Sequence, residues 1–161
     1  MIARVSRWGA LLLLWLPAWA PAGPGMVPVT AAGELDLSAF RGQVVYVDFW
    51  ASWCKPCRKS FPWMKSLQRR FAHRGLAVVA VNLDQDQDKA RAFLDHFSPN
   101  FPIAYDPRGV VARRWDVRGM PSSYLVDRDG RIVFRHVGFR DADRAVLERK
   151  VMELLGQGGA S

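Results

Sequence analysis

The chain has 161 residues, of which 50% are hydrophobic, and a formal net charge of +8 at pH 7. This length is enough for one well-buried domain, and two cysteines are too few for the disulfide framework of a small secreted scaffold. The positive charge suits an acidic protein partner or anionic lipid head groups, although an arginine-rich surface can equally be no more than a soluble one.

The first 22 residues have the pattern of a targeting segment. Two arginines precede an apolar run over residues 8–16, and small residues follow. This pattern predicts a secretory signal peptide over residues 1–22, cleaved after Ala20 or Ala22. The alternative is a retained membrane anchor, but the apolar stretch is shorter than the ~20 residues that a spanning helix needs, and two prolines interrupt it. We therefore expect a periplasmic or other extracytoplasmic domain.

The rest of the chain is predicted to form one domain. Residues 23–33 are rich in Pro, Gly and Ala and predict a linker, and residues 157–161 predict a flexible tail. Between them, over residues 34–156, strand-like and helix-like apolar patterns alternate. This order, which ends in a hairpin and a helix, predicts an α/β fold with a mixed sheet covered by helices on both faces. The predicted strands are 44–50, 76–83, 101–105, 123–126 and 132–137, and the predicted helices run from the cysteines to about 73, then over 86–97, 109–115 and 141–155.

The two cysteines form a C-x-x-C at the start of the first predicted helix, in the segment Trp53-Cys54-Lys55-Pro56-Cys57. A thiol at a helix N-terminus faces unpaired backbone N–H groups, which stabilise its thiolate, and Lys55 acts in the same direction. A disulfide at this spacing closes almost no loop and adds little stability, which favours a redox role. We expect Cys54 to attack a target disulfide, and Cys57 to be buried and to resolve the mixed disulfide.

Other uses of a cysteine pair fit the chain less well. A zinc ribbon needs two more ligands, whereas the three histidines occur singly. Arg58 rather than His follows the second cysteine, so the motif is not a haem-attachment site. We expect no metal site, and no cofactor other than a redox-active disulfide between Cys54 and Cys57.

Asp48 interrupts the apolar strand 44–50, six residues before Cys54. Burial raises the pKa of a carboxyl group, which makes Asp48 a candidate general base for Cys57 during resolution. The alternative is a partly solvated aspartate at a strand end.

The segment from Asp48 to Cys57 closely resembles the active site of thioredoxins. The likeness covers about residues 33–155 and implies a thioredoxin-like three-layer α/β/α sandwich with a mixed central sheet. Asp48 matches an aspartate of thioredoxins, whereas Ser60 stands where the exported TlpA/ResA-like branch usually has a glutamate. That branch is indicated by the extra helix and strand between residues 84 and 106, and by the segments 37–42, 56–62 and 117–127.

This resemblance implies a thiol–disulfide oxidoreductase that docks an extended target peptide beside its cysteines. It implies that the peptide bond between Met120 and Pro121 is cis, that it lies against the disulfide, and that the main chain of Met120 pairs with the target. Trp53 and Pro56 are expected to belong to the same binding surface.

The leading interpretation is a monomeric reductant of disulfides in exported proteins, which a membrane thiol reductase restores to the dithiol form. The resemblance implies haem-site cysteines of apocytochrome c, or copper-site cysteines of respiratory oxidases, as targets. The alternatives are an oxidant that inserts disulfides and a non-catalytic module that binds a partner or Cu(I) through its thiols. No nucleic-acid partner is expected for an exported domain.

Overall fold

The computed structural model describes residues 25–156. The predicted signal peptide over residues 1–22 and the predicted tail over residues 157–161 therefore lie outside the described residues. Among the helices of residues 25–156, none combines the length and the apolar character that a membrane crossing requires.

Five strands form one mixed sheet at the centre of the domain. In chain order they are β1 (Val44–Trp50), β2 (Leu76–Asn82), β3 (Ile103–Tyr105), β4 (Ser122–Val126) and β5 (Ile132–Val137). Their order across the sheet is β3-β2-β1-β4-β5. The first three strands run parallel, β4 is antiparallel to β1, and β5 is antiparallel to β4. The mixed sheet expected from the order of elements is thus confirmed.

Helices cover both faces of this sheet. Helices α1, α2 and α4 pack on one face, and α3 packs on the other face together with the N-terminal segment. The three-layer α/β/α arrangement follows from these contacts. Within the described residues the helices are α1 (Lys55–Phe71), α2 (Gln87–Phe97), α3 (Val110–Arg114) and α4 (Asp143–Gly156), with short 3₁₀ helices at Ser38–Phe40 and Ala72–Arg74.

The central strands β1 and β2 are buried along their whole length. Both of their faces are covered, so neither strand alternates apolar and polar residues, as expected for parallel strands between helical layers. Asp48 is the only carboxyl group in these two strands. A polar group at such a position needs an internal hydrogen-bond partner.

The segment predicted as a linker (23–33) packs on the sheet from Gly25 onward, so the linker prediction is corrected for its described part. The N–H of Val27 donates to the carbonyl of Ile103 across 2.9 Å, and the N–H of Ile103 donates to the carbonyl of Gly25 across 3.1 Å. Val27 is only 4% exposed. Strand β3 lies at an edge of the sheet, and its free backbone groups provide pairing that the Pro- and Gly-rich composition did not reveal.

Strand β3 begins at Ile103, two residues later than the predicted strand 101–105. Pro102 has no N–H group to contribute to a ladder, although its carbonyl accepts from the N–H of Ala80 across 3.1 Å. Phe101 packs instead against Phe61 of α1, with ring centroids 5.6 Å apart. The proline thus separates a core contact from the strand proper.

Replacing Val27 with alanine tests whether the N-terminal segment belongs to the folded unit. The change removes two buried methyl groups, so we expect the free energy of unfolding to fall by about 1–2 kcal/mol. Urea unfolding followed by tryptophan fluorescence measures it. Met26→Ala is the matched control, because Met26 is 74% exposed, and it should change stability by less than about 0.5 kcal/mol. Equal stability of Val27→Ala and the parent protein would contradict the packing of this segment.

Candidate active site

The two cysteines form a disulfide at the N-terminus of α1. Cys54 is the N-cap residue of the helix, Cys57 lies in its first turn, and their sulfur atoms are 2.05 Å apart. The N–H of Cys57 donates to Sγ of Cys54 across 3.3 Å. A backbone donor at the helix N-terminus therefore points at the sulfur predicted to attack, where it stabilises negative charge in the dithiol form.

The disulfide is buried beside an exposed indole ring. Cys57 is 0% exposed, as predicted, and Cys54 is 3% exposed, which is less than the open end of a helix suggests. Trp53 is 68% exposed, and Pro56 is half-buried. Cys54 is thus the only cysteine of the pair that keeps any surface open to an approaching sulfur atom.

Asp84 holds the loop that leads from β1 to Cys54. Its Oδ2 accepts from the N–H of Ser52 across 2.8 Å and from the side-chain amide of Asn82 across 2.7 Å. Its Oδ1 accepts from the Ser52 hydroxyl across 2.9 Å. Asp84 and Ser52 were not predicted from the sequence, where the only available signal is a carboxylate directly after a buried strand.

Asp48 is completely buried in the middle of β1, opposite Ala80 of β2 and Ser123 of β4. The Ser123 hydroxyl donates to Oδ1 across 2.7 Å. Within residues 25–156, Oδ2 has no hydrogen-bond partner. Burial raises the pKa of Asp48 from 3.8 to about 7, and the hydrogen bond from Ser123 lowers it in part. The alternative of a partly solvated aspartate is wrong, because helical layers cover both faces of β1.

Asp48 and the cysteines lie on the same face of the sheet. Side chains alternate along a strand, so Tyr46, Asp48 and Trp50 share one face of β1. Tyr46 and Trp50 belong to the same buried core cluster as Cys54 and Cys57. Asp48, between these two aromatic residues, therefore lies on the face that α1 covers. A carboxyl group with a pKa of about 7 thus lies on the same face of the sheet as the cysteine pair.

The loop before β4 carries the second predicted part of the site. The peptide bond between Met120 and Pro121 is cis, as the resemblance implied. Pro121 is buried and its carbonyl accepts from the N–H of Gly138 across 2.8 Å. Met120 is half-buried and packs against the core cluster that contains the cysteines. As far as the chain is described, its N–H and C=O make no hydrogen bond, so they are available to pair with another strand.

Ser60 is buried, and its hydroxyl donates to the carbonyl of Cys57 across 3.1 Å. The first turn of α1 contains no acidic residue. Ser60 is therefore satisfied within its own helix and adds no charge beside the disulfide, unlike the glutamate usual in the TlpA/ResA-like branch.

The three histidines lie on different elements of the fold. His73 and His96 are exposed, and Nε2 of His136 lies 3.4 Å from Oδ2 of Asp143. No three His, Cys, Asp or Glu side chains in the described part of the chain are grouped as a metal site requires.

Comparison with known sequences shows consistent similarities. The sequence profile of the Redoxin family matches residues 28–151. The chain is 31% identical over 111 residues to "Thiol-disulfide oxidoreductase ResA" of Bacillus thuringiensis subsp. konkukian (strain 97-27). It is 41% identical over 113 residues to "Thioredoxin-like protein YneN" of Bacillus subtilis (strain 168). Each alignment covers 68% of this chain, but only 64% of the first relative and 65% of the second. The chain thus spans less than two thirds of the length of these relatives.

A solved structure from Chlorobium tepidum, of a protein provisionally called thiol:disulfide interchange protein DsbE, has the same architecture. It is 43% identical in sequence with a TM-score of 0.75, and the match covers 85% of this chain and 100% of that one. The thioredoxin-like fold predicted from the sequence is therefore confirmed.

Asp48→Asn should change how stability depends on pH. Because the pKa of Asp48 is raised from 3.8 to about 7 on folding, the folded protein holds this proton more tightly than the unfolded chain does. The stability that the proton gives is complete below about pH 4 and is lost as pH rises through about 7. Asparagine removes the titrating group, so we expect the variant to be more stable than the parent at pH 8, by up to about 4 kcal/mol.

Guanidinium unfolding at pH values from 4 to 9 measures this difference, which should shrink towards pH 4. Asp95→Asn, at an exposed carboxyl on α2, is the control and should leave the pH dependence of stability unchanged. A difference for Asp48→Asn that stays constant across this range would contradict the raised pKa.

Proposed function

The chain belongs to the Redoxin family, and from that premise we propose that it is an exported thiol–disulfide oxidoreductase that reduces disulfide bonds in other proteins. One observation carries the proposal. The Cys54–Cys57 disulfide at the N-terminus of α1 shares a sheet face with the buried carboxyl of Asp48. A cysteine pair can store two electrons, and a proton acceptor on its buried side allows the inner thiol to become a nucleophile.

The first step uses the outer sulfur. In the reduced protein, the thiolate of Cys54 attacks one sulfur of a target disulfide. A bond forms between Sγ of Cys54 and that sulfur, and the second target sulfur leaves as a thiolate. The helix N-terminus supports this step because its backbone donors stabilise the attacking thiolate.

The second step uses the buried sulfur. The Cys57 thiol gives its proton to the carboxylate of Asp48, and the resulting thiolate attacks Sγ of Cys54. The Cys54–Cys57 bond forms, the mixed disulfide breaks, and the first target sulfur leaves as a thiolate. Once both target thiolates are protonated, the target has gained two electrons and two protons, and the protein holds the internal disulfide. An external thiol reductant must then restore the dithiol, and we propose a membrane thiol reductase for this role.

The target segment is proposed to dock in an extended conformation along Met120. The free N–H and C=O of this residue would extend the backbone pairing to the target, and the exposed ring of Trp53 would cover its other side. Pro56 and Pro121 complete the surface around the disulfide. Backbone hydrogen bonds do not depend on the side chains of the target, so selection among targets depends on the side chains that surround Met120.

The physiological setting is proposed from the predicted signal over residues 1–22 and from the TlpA/ResA-like features. The protein acts outside the cytoplasm as a monomer, on haem-site cysteines of apocytochrome c or on copper-site cysteines of respiratory oxidase assembly. The uncharged Ser60 distinguishes its site from the usual pattern of that branch, so the choice between these targets rests on the docking surface.

Asp48→Asn should slow the second step more than the first. Without the carboxylate, Cys57 loses its proton acceptor, so we expect release of the mixed disulfide to slow by about 100-fold near pH 7. Attack by Cys54 should change little. Rapid-quench mass spectrometry with a disulfide-bonded peptide follows both steps, with Cys57→Ser as the reference that stops at the mixed disulfide.

The matched control for these kinetics is Asp95→Asn, an exposed carboxyl that makes no described contact with the site. Its two rates should equal those of the parent protein. Unchanged release in Asp48→Asn would remove Asp48 from the mechanism, and failure of Cys57→Ser to accumulate a mixed disulfide would contradict the assignment of Cys54 as the nucleophile.

The reduction potential separates the proposed direction from its reverse. We expect a reduction potential close to that of thioredoxin, which is about −270 mV. A strong oxidant has a potential of about −120 mV. Equilibration with glutathione buffers, read by the fluorescence of Trp53, measures it. A potential near that of the strong oxidant would instead favour a protein that inserts disulfides into its targets. Stoichiometric binding of Cu(I) without any disulfide turnover would favour a binding module.

A further inference from the structure

The carboxyl group of Asp48 is the end of a buried chain of hydroxyl groups. Oη of Tyr46 lies 2.7 Å from Oγ of Ser123, and this Oγ lies 2.7 Å from Oδ1 of Asp48. All three residues are buried. Ser123 is directly opposite Asp48 in the pairing of β1 with β4, and Tyr46 precedes Asp48 by two residues on the same face. Both distances are typical of well-formed O–H···O hydrogen bonds.

The proton of Tyr46 fixes the direction of this chain. Within residues 25–156, the Tyr46 hydroxyl has one hydrogen-bond partner, Oγ of Ser123. Ser123 therefore accepts from Tyr46, and its own proton is left to donate to Oδ1 of Asp48. In the reverse direction, a protonated Oδ1 would donate to Ser123 and Ser123 to Tyr46. That arrangement would leave the phenol proton buried without an acceptor, which is costly.

Oδ1 of Asp48 is thus an acceptor in both protonation states, and a proton that binds to the carboxylate goes to Oδ2. In the described part of the chain this oxygen has no partner. We propose that Tyr46 and Ser123 are positioning residues for the resolving step: they hold Oδ1 as an acceptor so that Oδ2 alone exchanges the proton with Cys57. The role of this chain in the attack of Cys57 on the mixed disulfide rests on the proposed function, whereas the hydrogen-bond chain itself does not.

Neighbouring strands bring few titratable groups towards Asp48. Strand β2 places Ala80 opposite it. Beyond Ser123, strand β5 places His136, which lies 3.4 Å from Asp143 at the start of α4. Ser123 therefore stands between His136 and Asp48 in the register across β5, β4 and β1.

The helices add no buried charge near Asp48. The polar residues on the buried side of α1 are Cys57 and Ser60, and none of its basic side chains is buried. The buried residues of α4 are apolar. On β1 itself, burial and the charge of Asp48 raise the pKa of Tyr46 well above its usual range, so the phenol remains a donor at neutral pH.

Infrared titration of the carboxyl group tests the proposal without measuring catalysis. The C=O band of protonated Asp48 is identified as the band that disappears in Asp48→Asn. In the parent protein this C=O group is Oδ1, which accepts from Ser123. Its band therefore lies at a lower wavenumber than that of an unbonded carboxyl group.

Two substitutions should move both the band and its titration midpoint. Ser123→Ala removes the donor to the ionised form, and a hydrogen bond to a charged group changes an ionisation equilibrium about tenfold or more. We therefore expect the midpoint to rise by on the order of one pH unit and the band to move to a higher wavenumber. Tyr46→Phe keeps the ring and the serine but allows the chain to reverse. We expect its titration midpoint to rise by less than that of Ser123→Ala, and its C=O band to move to a higher wavenumber as in that variant.

Two controls separate this effect from packing. Ser123→Thr keeps the hydroxyl and should retain the parent band and midpoint. Ser122→Ala removes the neighbouring buried hydroxyl, which donates to the carbonyl of Gly119 across 2.7 Å, and it should leave both unchanged. A Tyr46→Phe variant that folds and keeps the parent band and midpoint would overturn the proposal, and so would an equal shift in Ser122→Ala.

Kinetics distinguish this proposal from the proposed function. In Ser123→Ala the pH profile of mixed-disulfide release should move upward with the carboxyl midpoint, while the rate at high pH stays at the parent plateau. Shifted infrared bands in a protein that exchanges no disulfides would refute the proposed function and leave the hydrogen-bond chain intact. Normal exchange with unshifted bands would refute the chain alone.

Discussion

Burial of the Asp48 carboxyl group in the central strand is the constraint on which the arrangement of the domain depends. A carboxyl group without solvent favours its neutral form, and the one hydrogen bond from Ser123 offsets only part of that preference. Complete burial of this side chain requires that its own face of β1 be covered, and the helical layer that contains α1 provides this cover. The same cover buries Cys57. Burial disfavours a negative charge on either group. The proposed transfer of a proton from the Cys57 thiol to the Asp48 carboxylate moves one buried charge and creates no new one, so it costs less than release of the thiol proton to water.

The parts of the site that could be predicted are those encoded within a few residues of one another. The apolar run of β1, its interruption at Asp48 and the cysteine pair on the next helical turn lie within 14 consecutive residues, from Val44 to Cys57. The partners of Asp48 are different. Ser123 is 75 residues away in sequence and meets Asp48 only through the register of β1 on β4. No local periodicity gives that register, and a serine in a buried strand has no distinctive pattern.

The N-terminal segment and Asp84 were missed for the same physical reason. The composition of a segment indicates only its local conformational preference. The start of the segment 25–33 is ordered by backbone pairing with the edge strand β3, which lies far away in the sequence. Asp84 is 32 residues from Ser52, and its importance depends on the loop after β1 returning to the end of β2. Local patterns therefore predicted the fold and the reactive sulfurs, whereas long-range pairing supplies the groups that orient them.

Asp84 and Asp48 are both buried carboxyl groups, but their hydrogen-bond surroundings differ. Asp84 receives three hydrogen bonds, shared between both of its oxygens. Two of these bonds come from Ser52 and hold the loop before Cys54, so the role of this carboxylate is structural. Asp48 receives a single hydrogen bond, on Oδ1, and keeps Oδ2 unpaired among the described residues. An oxygen without a donor can accept a proton without loss of an existing bond. The number and direction of donors, rather than burial alone, thus distinguish the carboxyl group that anchors the loop from the one that is proposed to take part in proton transfer.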